Sequence, residues 1–187
     1  VGKLIYSMLT SLDCYVEDST GNFGWGAPND PAVHSYVTEL AAPVGTFLYG
    51  RRMYETMVYW ETAHTVPGQD QYMLEWARQW QDTDKIVYSR TLAEPTSART
   101  RIEREFDPAA VERLKLELGH DLTVDGPELA AQAIKAGLVD ECHLMLSPVA
   151  VGGGKPFFPQ GVQLDLKLLE ERRFDSGVVF LRYAVKR

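Results

Sequence analysis

Along this chain, apolar positions repeat with two different periods, and the two kinds of stretch alternate. Lys3–Leu9 is a mainly apolar run with the character of a first strand. Pro31–Ala41 carries Val33, Val37 and Leu40 on one helical face, with Asp30 placed to cap it and Pro31 suited to its first turn. Val44–Tyr49 is a short apolar run closed by Gly50, which predicts a buried strand, and Arg52–Tyr59 predicts a helix after it. Gln69–Gln81 sets Tyr72, Met73, Trp76 and Trp80 along one stripe of a further helix. Lys85–Tyr88, Leu122–Val124 and Glu141–Leu146 read as strands. Pro108–Leu118, capped by Asp107, and Pro127–Lys135, closed by Gly137, read as helices between them.

The pattern changes near the C-terminus. Gln163–Leu168 alternates polar and apolar residues, Arg172–Ser176 is turn-rich, and Gly177–Val185 is rich in β-branched and aromatic residues. Two long strands joined this way predict an antiparallel hairpin at the edge of a mostly parallel sheet. The expected fold class is therefore α/β. No repeat or linker interrupts it, so residues 1–187 are expected to form one domain.

Composition narrows the function classes. With 45% hydrophobic and 24% charged residues in 187, the chain is an ordinary globular one with no low-complexity character. No apolar run nears the roughly 20 residues needed to cross a bilayer, and Val1–Asp13 lacks the features of a secretory leader. The two cysteines, Cys14 and Cys142, are too few for a disulfide or zinc scaffold, so the expected compartment is the cytoplasm. A net charge of −7 argues against nucleic acid as a partner, and a membrane is not expected either.

Several catalytic signatures are absent. No G-x-G-x-x-G follows a strand, and no H-E-x-x-H, P-C-x-x-C or G-x-S-x-G occurs, so no metal is expected. Gly152-Gly153-Gly154-Lys155 resembles a phosphate loop but has Pro156 where the hydroxyl residue belongs; a mobile turn and a ligand-facing loop are equally open. Three other segments share one physical form, a strand end running into polar groups. They are Gly50-Arg51-Arg52, Ser89-Arg90-Thr91 and Asp125-Gly126-Pro127-Glu128-Leu129. Each taken singly is a plain surface turn, with Asp125 as a cap in the third. All three at carboxyl ends of successive strands fall where open α/β sheets bind ligands. Paired arginines at a helix start are disfavoured by the helix dipole, which an anionic ligand would offset.

Those segments, with Ser7–Asp13, Trp25, Gly137–Glu141, Pro148, the Gly152–Lys155 loop, Phe157 and Ser176–Val179, resemble the dihydrofolate reductase-like superfamily. The similarity is closest to the reductase domain of the bifunctional riboflavin-biosynthesis deaminase–reductase and runs over nearly the whole chain. It implies a three-layer dihydrofolate reductase-like fold and a stand-alone reductase domain that takes NADPH. By that resemblance, Gly50, Arg51, Arg52, Ser89 and Arg90 match segments that hold the 2′-phosphate and pyrophosphate. Gly126, Pro127, Glu128 and Leu129 match the glycine turn beneath the pyrophosphate. Leu9, Asp13, Val16 and Trp25 match the strand end and loop flanking nicotinamide and substrate. Asp13, Trp25 and Asp30 are the candidate catalytic residues, the two carboxyls as proton sources and the indole as a cover; for both aspartates, capping is the competing role.

The implied substrate is a small heterocycle, first of all a phosphoribosylamino-pyrimidine. A pteridine or another carbonyl or imine compound is the alternative within enzymes. A non-catalytic nucleotide-binding dimeric scaffold is the alternative outside them. A homodimer is expected, because relatives pair and because the C-terminal hairpin leaves a long sheet edge to protect.

Overall fold

The structure is a computed structural model and describes residues 1–26 and 30–187. Among the described residues ten strands and five α-helices follow one another: β1 (Leu4–Thr10), β2 (Tyr15–Asp18), α1 (Pro31–Ala41), β3 (Val44–Gly50), α2 (Arg51–Met57), α3 (Gln71–Asp82), β4 (Asp84–Tyr88), β5 (Thr100–Glu103), α4 (Pro108–Glu117), β6 (Asp121–Asp125), α5 (Pro127–Lys135), β7 (Glu141–Leu146), β8 (Gly154–Pro156), β9 (Leu166–Arg173) and β10 (Val179–Val185). Eight of the strands form one sheet in the order β5-β4-β3-β6-β1-β7-β10-β9. β5 through β7 in that order are parallel. β10 runs antiparallel to β7, and β9 antiparallel to β10. β2 and β8 pair separately as a small antiparallel ribbon.

The period-2 pattern sorts the strands' side chains into two faces. Leu4 and Tyr6 of β1 and Val124 of β6 pack with Val111 of α4 and Ala130 and Ile134 of α5. On the other face, Phe47 and Tyr49 of β3 meet Tyr54 of α2 and Trp80 of α3, while Met145 and Phe180 meet Val33 and Tyr36 of α1. This is the three-layer arrangement expected. Trp80 is fully buried and its indole N–H donates to the Tyr49 hydroxyl at 3.0 Å, so its polar atom is satisfied.

The helix starts follow their caps. Asp30 and Asp107 accept from the amides of Ala32 and Ala109, and a proline stands in the first turn behind each. Gly137, at φ 69°, ends the α5 turn as expected of a left-handed closing glycine.

Four expectations need correcting. The Arg52–Tyr59 helix runs Arg51–Met57 and then tightens into a 3₁₀ turn, Val58–Glu61. The first hairpin strand is not Gln163–Leu168 but Leu166–Arg173, so the turn shrinks to the residues just after Arg173. β9 is an edge strand with exposed Glu171 and Arg173 and with Arg172 laid over the Tyr36 ring, and such a charged composition hides a strand. The short strands β2, β5 and β8 were not anticipated. Gly152–Lys155 is not a free turn: Gly154 (φ 132°) opens β8, and a Cβ there would collide with the carbonyl of Glu17 across the ribbon.

Candidate functional site

The carboxyl ends of β1, β3, β4 and β6 open on one cavity of about 760 Å³. Its size lies in the upper part of the roughly 300–1,000 Å³ range of ligand pockets. Leu9 of β1 and Val16 of β2 line it. So do Gly50, Arg51 and Arg52 at the β3–α2 junction, Ser89 and Arg90 after β4, and Gly126, Pro127, Glu128 and Leu129 at the start of α5. The structure thus brings Leu9, Val16 and the residues of the three strand-end segments into one lining.

The three candidate catalytic residues are placed otherwise, and none is part of that lining. Asp13 accepts the amides of Val151 and Gly152 at 3.1 and 2.8 Å. A hydrogen bond from Ser11, aided by those amides, holds its carboxyl down at about 2. Asp30 caps α1 and is held low chiefly by a hydrogen bond from Ser176. The Trp25 indole donates to the carbonyl of Asn22 at 3.0 Å, folding the ring onto its own turn. In each case a main-chain group engages the polar atom: distant amides for Asp13, the Ala32 amide for Asp30 and a nearby carbonyl for Trp25. Phe23 and Gly26 from the same segment do line the cavity.

The structure divides the paired arginines. Arg51 donates from Nη1 to Thr91 Oγ1 at 2.6 Å and from Nε to Glu55 at 2.8 Å. It therefore stands with Ser89 and Arg90, whose Nη2 meets Glu105 at 2.7 Å. Arg52 turns to the β2–β8 ribbon, 3.5 Å from Glu17. Lys155 bridges there, 3.7 Å from Glu17 and 2.8 Å from Glu128. Arg104 joins the first group by donating to the carbonyls of Ser89 and Leu92.

The α5 first turn has no side-chain cap. Gly126, at φ 99°, occupies the cap position, and Asp125 does not take the cap role read from the sequence. Its carboxylate instead accepts from Thr123 Oγ1 at 2.6 Å. Asp125 lines the cavity, and no ion pair among the described residues includes it. Burial pushes its carboxyl up to about 7, with the Thr123 bond only partly opposing. Asp125 lies opposite Tyr49 in the β3–β6 register, on the face that α1, α2 and α3 cover. Sequence reasoning passed it over, although a lone carboxylate ending the apolar run Leu122–Val124 was visible.

Comparison with known proteins gives a consistent picture. The RibD C-terminal domain family model matches residues 2–180. The uncharacterized protein YyaP of Bacillus subtilis is 29% identical over 183 residues, 97% of this chain and 94% of that one. A putative riboflavin biosynthesis protein from a Shewanella species superposes with a TM-score of 0.75 at 19% identity, each chain fully covered. A diaminohydroxyphosphoribosylaminopyrimidine deaminase/5-amino-6-(5-phosphoribosylamino)uracil reductase from Thermotoga maritima gives 0.67 at 12% identity, with 99% of this chain matched to 57% of that one. At these identities the structures bear on the fold.

Proposed function

The chain belongs to the RibD C-terminal domain family, a family of reductase domains, and from that premise we propose that it is an NADPH-dependent reductase of a small cyclic carbonyl or imine compound. The observation that carries this reading is the convergence of four strand ends, with their glycines and arginines, on one cavity. The residues fit the cofactor. A Cβ added at Gly50 would meet nothing within 4 Å, so the backbone there stands open to a ligand. The uncapped first turn of α5 leaves amides for a pyrophosphate. Arg51, Arg90 and Ser89 would hold the 2′-phosphate; Arg52 and Lys155, on the ribbon side, would face the pyrophosphate.

When bound, NADPH supplies a hydride. The chain's part is to orient, to exclude water and to hold a proton. Asp125, kept partly protonated near neutrality by burial, is positioned on the cavity wall to give that proton to the reduced product's heteroatom. Leu9 and Phe23 close the same wall with apolar surface.

Titration of tryptophan fluorescence tests the cofactor, since Trp60 and Trp76 line the cavity. Charge-assisted contacts worth about 1.5–3 kcal/mol each predict that NADPH binds roughly 10- to 150-fold more tightly than NADH. Arg51→Ala or Arg90→Ala is expected to erase most of that difference and leave NADH unchanged. Arg52→Ala is expected to weaken both cofactors alike. Equal affinity of the unaltered protein for the two would overturn the reading.

The homodimer and the cytoplasmic location belong to the same proposal. The β9 edge exposes Leu168 and Leu169, at 46% and 45%, beside a bulge in its pairing with β10. Cys14 and Cys142 both stand as free thiols, in keeping with a reducing compartment. Light scattering at micromolar protein should give twice the chain mass; a monomer mass refutes the pairing.

A further inference from the structure

The two halves of the cavity differ in chemistry, and the difference bears on the substrate of the reductase reading above. All lysines and arginines among the described lining residues (Arg51, Arg52, Arg90, Arg104 and Lys155) come from the start of α2, the segments after β4 and β5, and β8. Each is already engaged, four by carboxylates and Arg104 by main-chain carbonyls. Another part of the lining is apolar: Val33 and Val37 of α1, Met57 of α2, Trp60 of the 3₁₀ turn and Trp76 of α3. No lysine or arginine of α1 or α3 reaches it. Its titratable groups among the described residues include His34, whose ring lies 5.3 Å from that of Tyr72, and Asp125.

This apolar half adjoins the expected position of the transferred hydride. Leu9, at the end of β1, packs on the same cluster as Val33 and Val37. Asp125 sits on the sheet face beneath it, opposite Tyr49. A phosphate dianion placed here would lose its water without gaining a lysine or arginine, and would stand near the Asp125 carboxyl. A flat, weakly polar ring system would gain contact with two indoles and the Met57 thioether, which suit polarizable, planar partners.

We propose that the substrate is an uncharged, flat, largely apolar ketone or imine bound between α1 and the α2–α3 wall, and that this half takes no ribose phosphate. The reaction balances with one hydride and one proton. A C–H bond forms at the electrophilic carbon, the π pair of the C=O or C=N moves to the heteroatom and is protonated there, and the reduced nicotinamide is oxidised.

The test is calorimetry on the full chain saturated with NADPH, using 2-acetonaphthone as the neutral ketone and ribose 5-phosphate as the charged probe. We expect saturable, micromolar binding of 2-acetonaphthone and none of ribose 5-phosphate below millimolar. Val37→Asp should weaken the ketone at least 10-fold. Met57→Gln, nearly isosteric, should weaken it about 5-fold with the melting temperature and NADPH quenching retained, which covers the case that Val37→Asp does not fold. Absence of saturable ketone binding, or tighter binding of ribose 5-phosphate, overturns the inference while leaving the reductase reading standing. The ketone titration is repeated without cofactor. Should the ketone bind there with the same sensitivity to Met57→Gln while NADPH fails to bind, the pocket's preference is upheld and it is the reductase reading that falls.

Discussion

Asp125→Asn is expected to raise the melting temperature above pH 7 and to reduce turnover at the same time. Both effects come from one half-buried carboxyl on the cavity wall. Its folded value of about 7 stands well above the roughly 4 of an exposed aspartate in an unfolded chain. A group with a raised folded value binds its proton more tightly when folded. Its favourable contribution is therefore complete below about pH 4 and is lost as pH rises from about 4 to 7. Above that window the ionised carboxylate costs roughly 2–4 kcal/mol relative to acid conditions, taking about 1.4 kcal/mol per unit as an upper bound. Asparagine keeps the shape and still accepts from Thr123, but carries no charge. Melts at pH 8 should show the variant more stable, and melts at pH 4 should show little difference. Turnover by the parent should fall as pH rises through about 7, because the protonated form is the donor. The variant should lose roughly 10²- to 10⁴-fold, the range of general acid catalysis, and lose that inflection. Its affinity for NADPH should hold. A variant that is no more stable at pH 8 and turns over at the parent rate refutes the assignment.

The elements with strong local signals were legible in the sequence. α1 and α5 match their expected bounds because Asp30-Pro31 and Gly126-Pro127 fix the starts, and Pro43 and Gly137 follow the ends. The cavity wall that carries the glycines and arginines was legible for a related reason. Glycine and arginine at a strand end are local features, and the parallel sheet carries all strand ends to one side. Chain-distant partners were what the sequence withheld. β2 and β8 stabilise each other across more than a hundred residues, and neither is long enough to show a period. Asp13 follows β1 and in sequence has no visible partner; the amides it accepts, those of Val151 and Gly152, lie in a loop brought there only by folding. Asp125 was missed for the converse reason. In sequence it resembles any cap before a proline, and only the packing of Thr123, Tyr49 and the cavity wall around it sets it apart.

Glu141→Gln should be strongly destabilising, and it should leave the cavity untouched. Glu141 begins β7, and its side chain is 4% exposed. It accepts from Lys3 Nζ at 2.7 Å, from Arg182 Nε and Nη2 at 2.8 and 3.2 Å, and pairs with His143 Nε2 at 3.0 Å. Burial by itself pushes the carboxyl up. The hydrogen bonds of His143, Arg182 and Lys3 outweigh burial and hold it far below the usual carboxylate range. Glutamine fills the same volume but withdraws the charge from two cations, one of its oxygens and all of its charge-assisted bonds. Breaking a buried pair from one side costs about 3–5 kcal/mol, or roughly 6–20 °C of melting temperature for a chain of this size. The pH dependence runs opposite to that of Asp125. A depressed folded value contributes stability that is present above about pH 4.5 and is lost as pH falls below it, so the gap between parent and variant should be full at pH 7 and narrow steadily on acidification under pH 4. Glu141 is absent from the cavity lining, and NADPH quenching measured well below the melting temperature should be unchanged. A gap that stays constant down to pH 3 would mean that the carboxylate's charge is not what holds β1, β7 and β10 together there. A loss of cofactor affinity in the folded variant would mean that this end of the sheet communicates with the site.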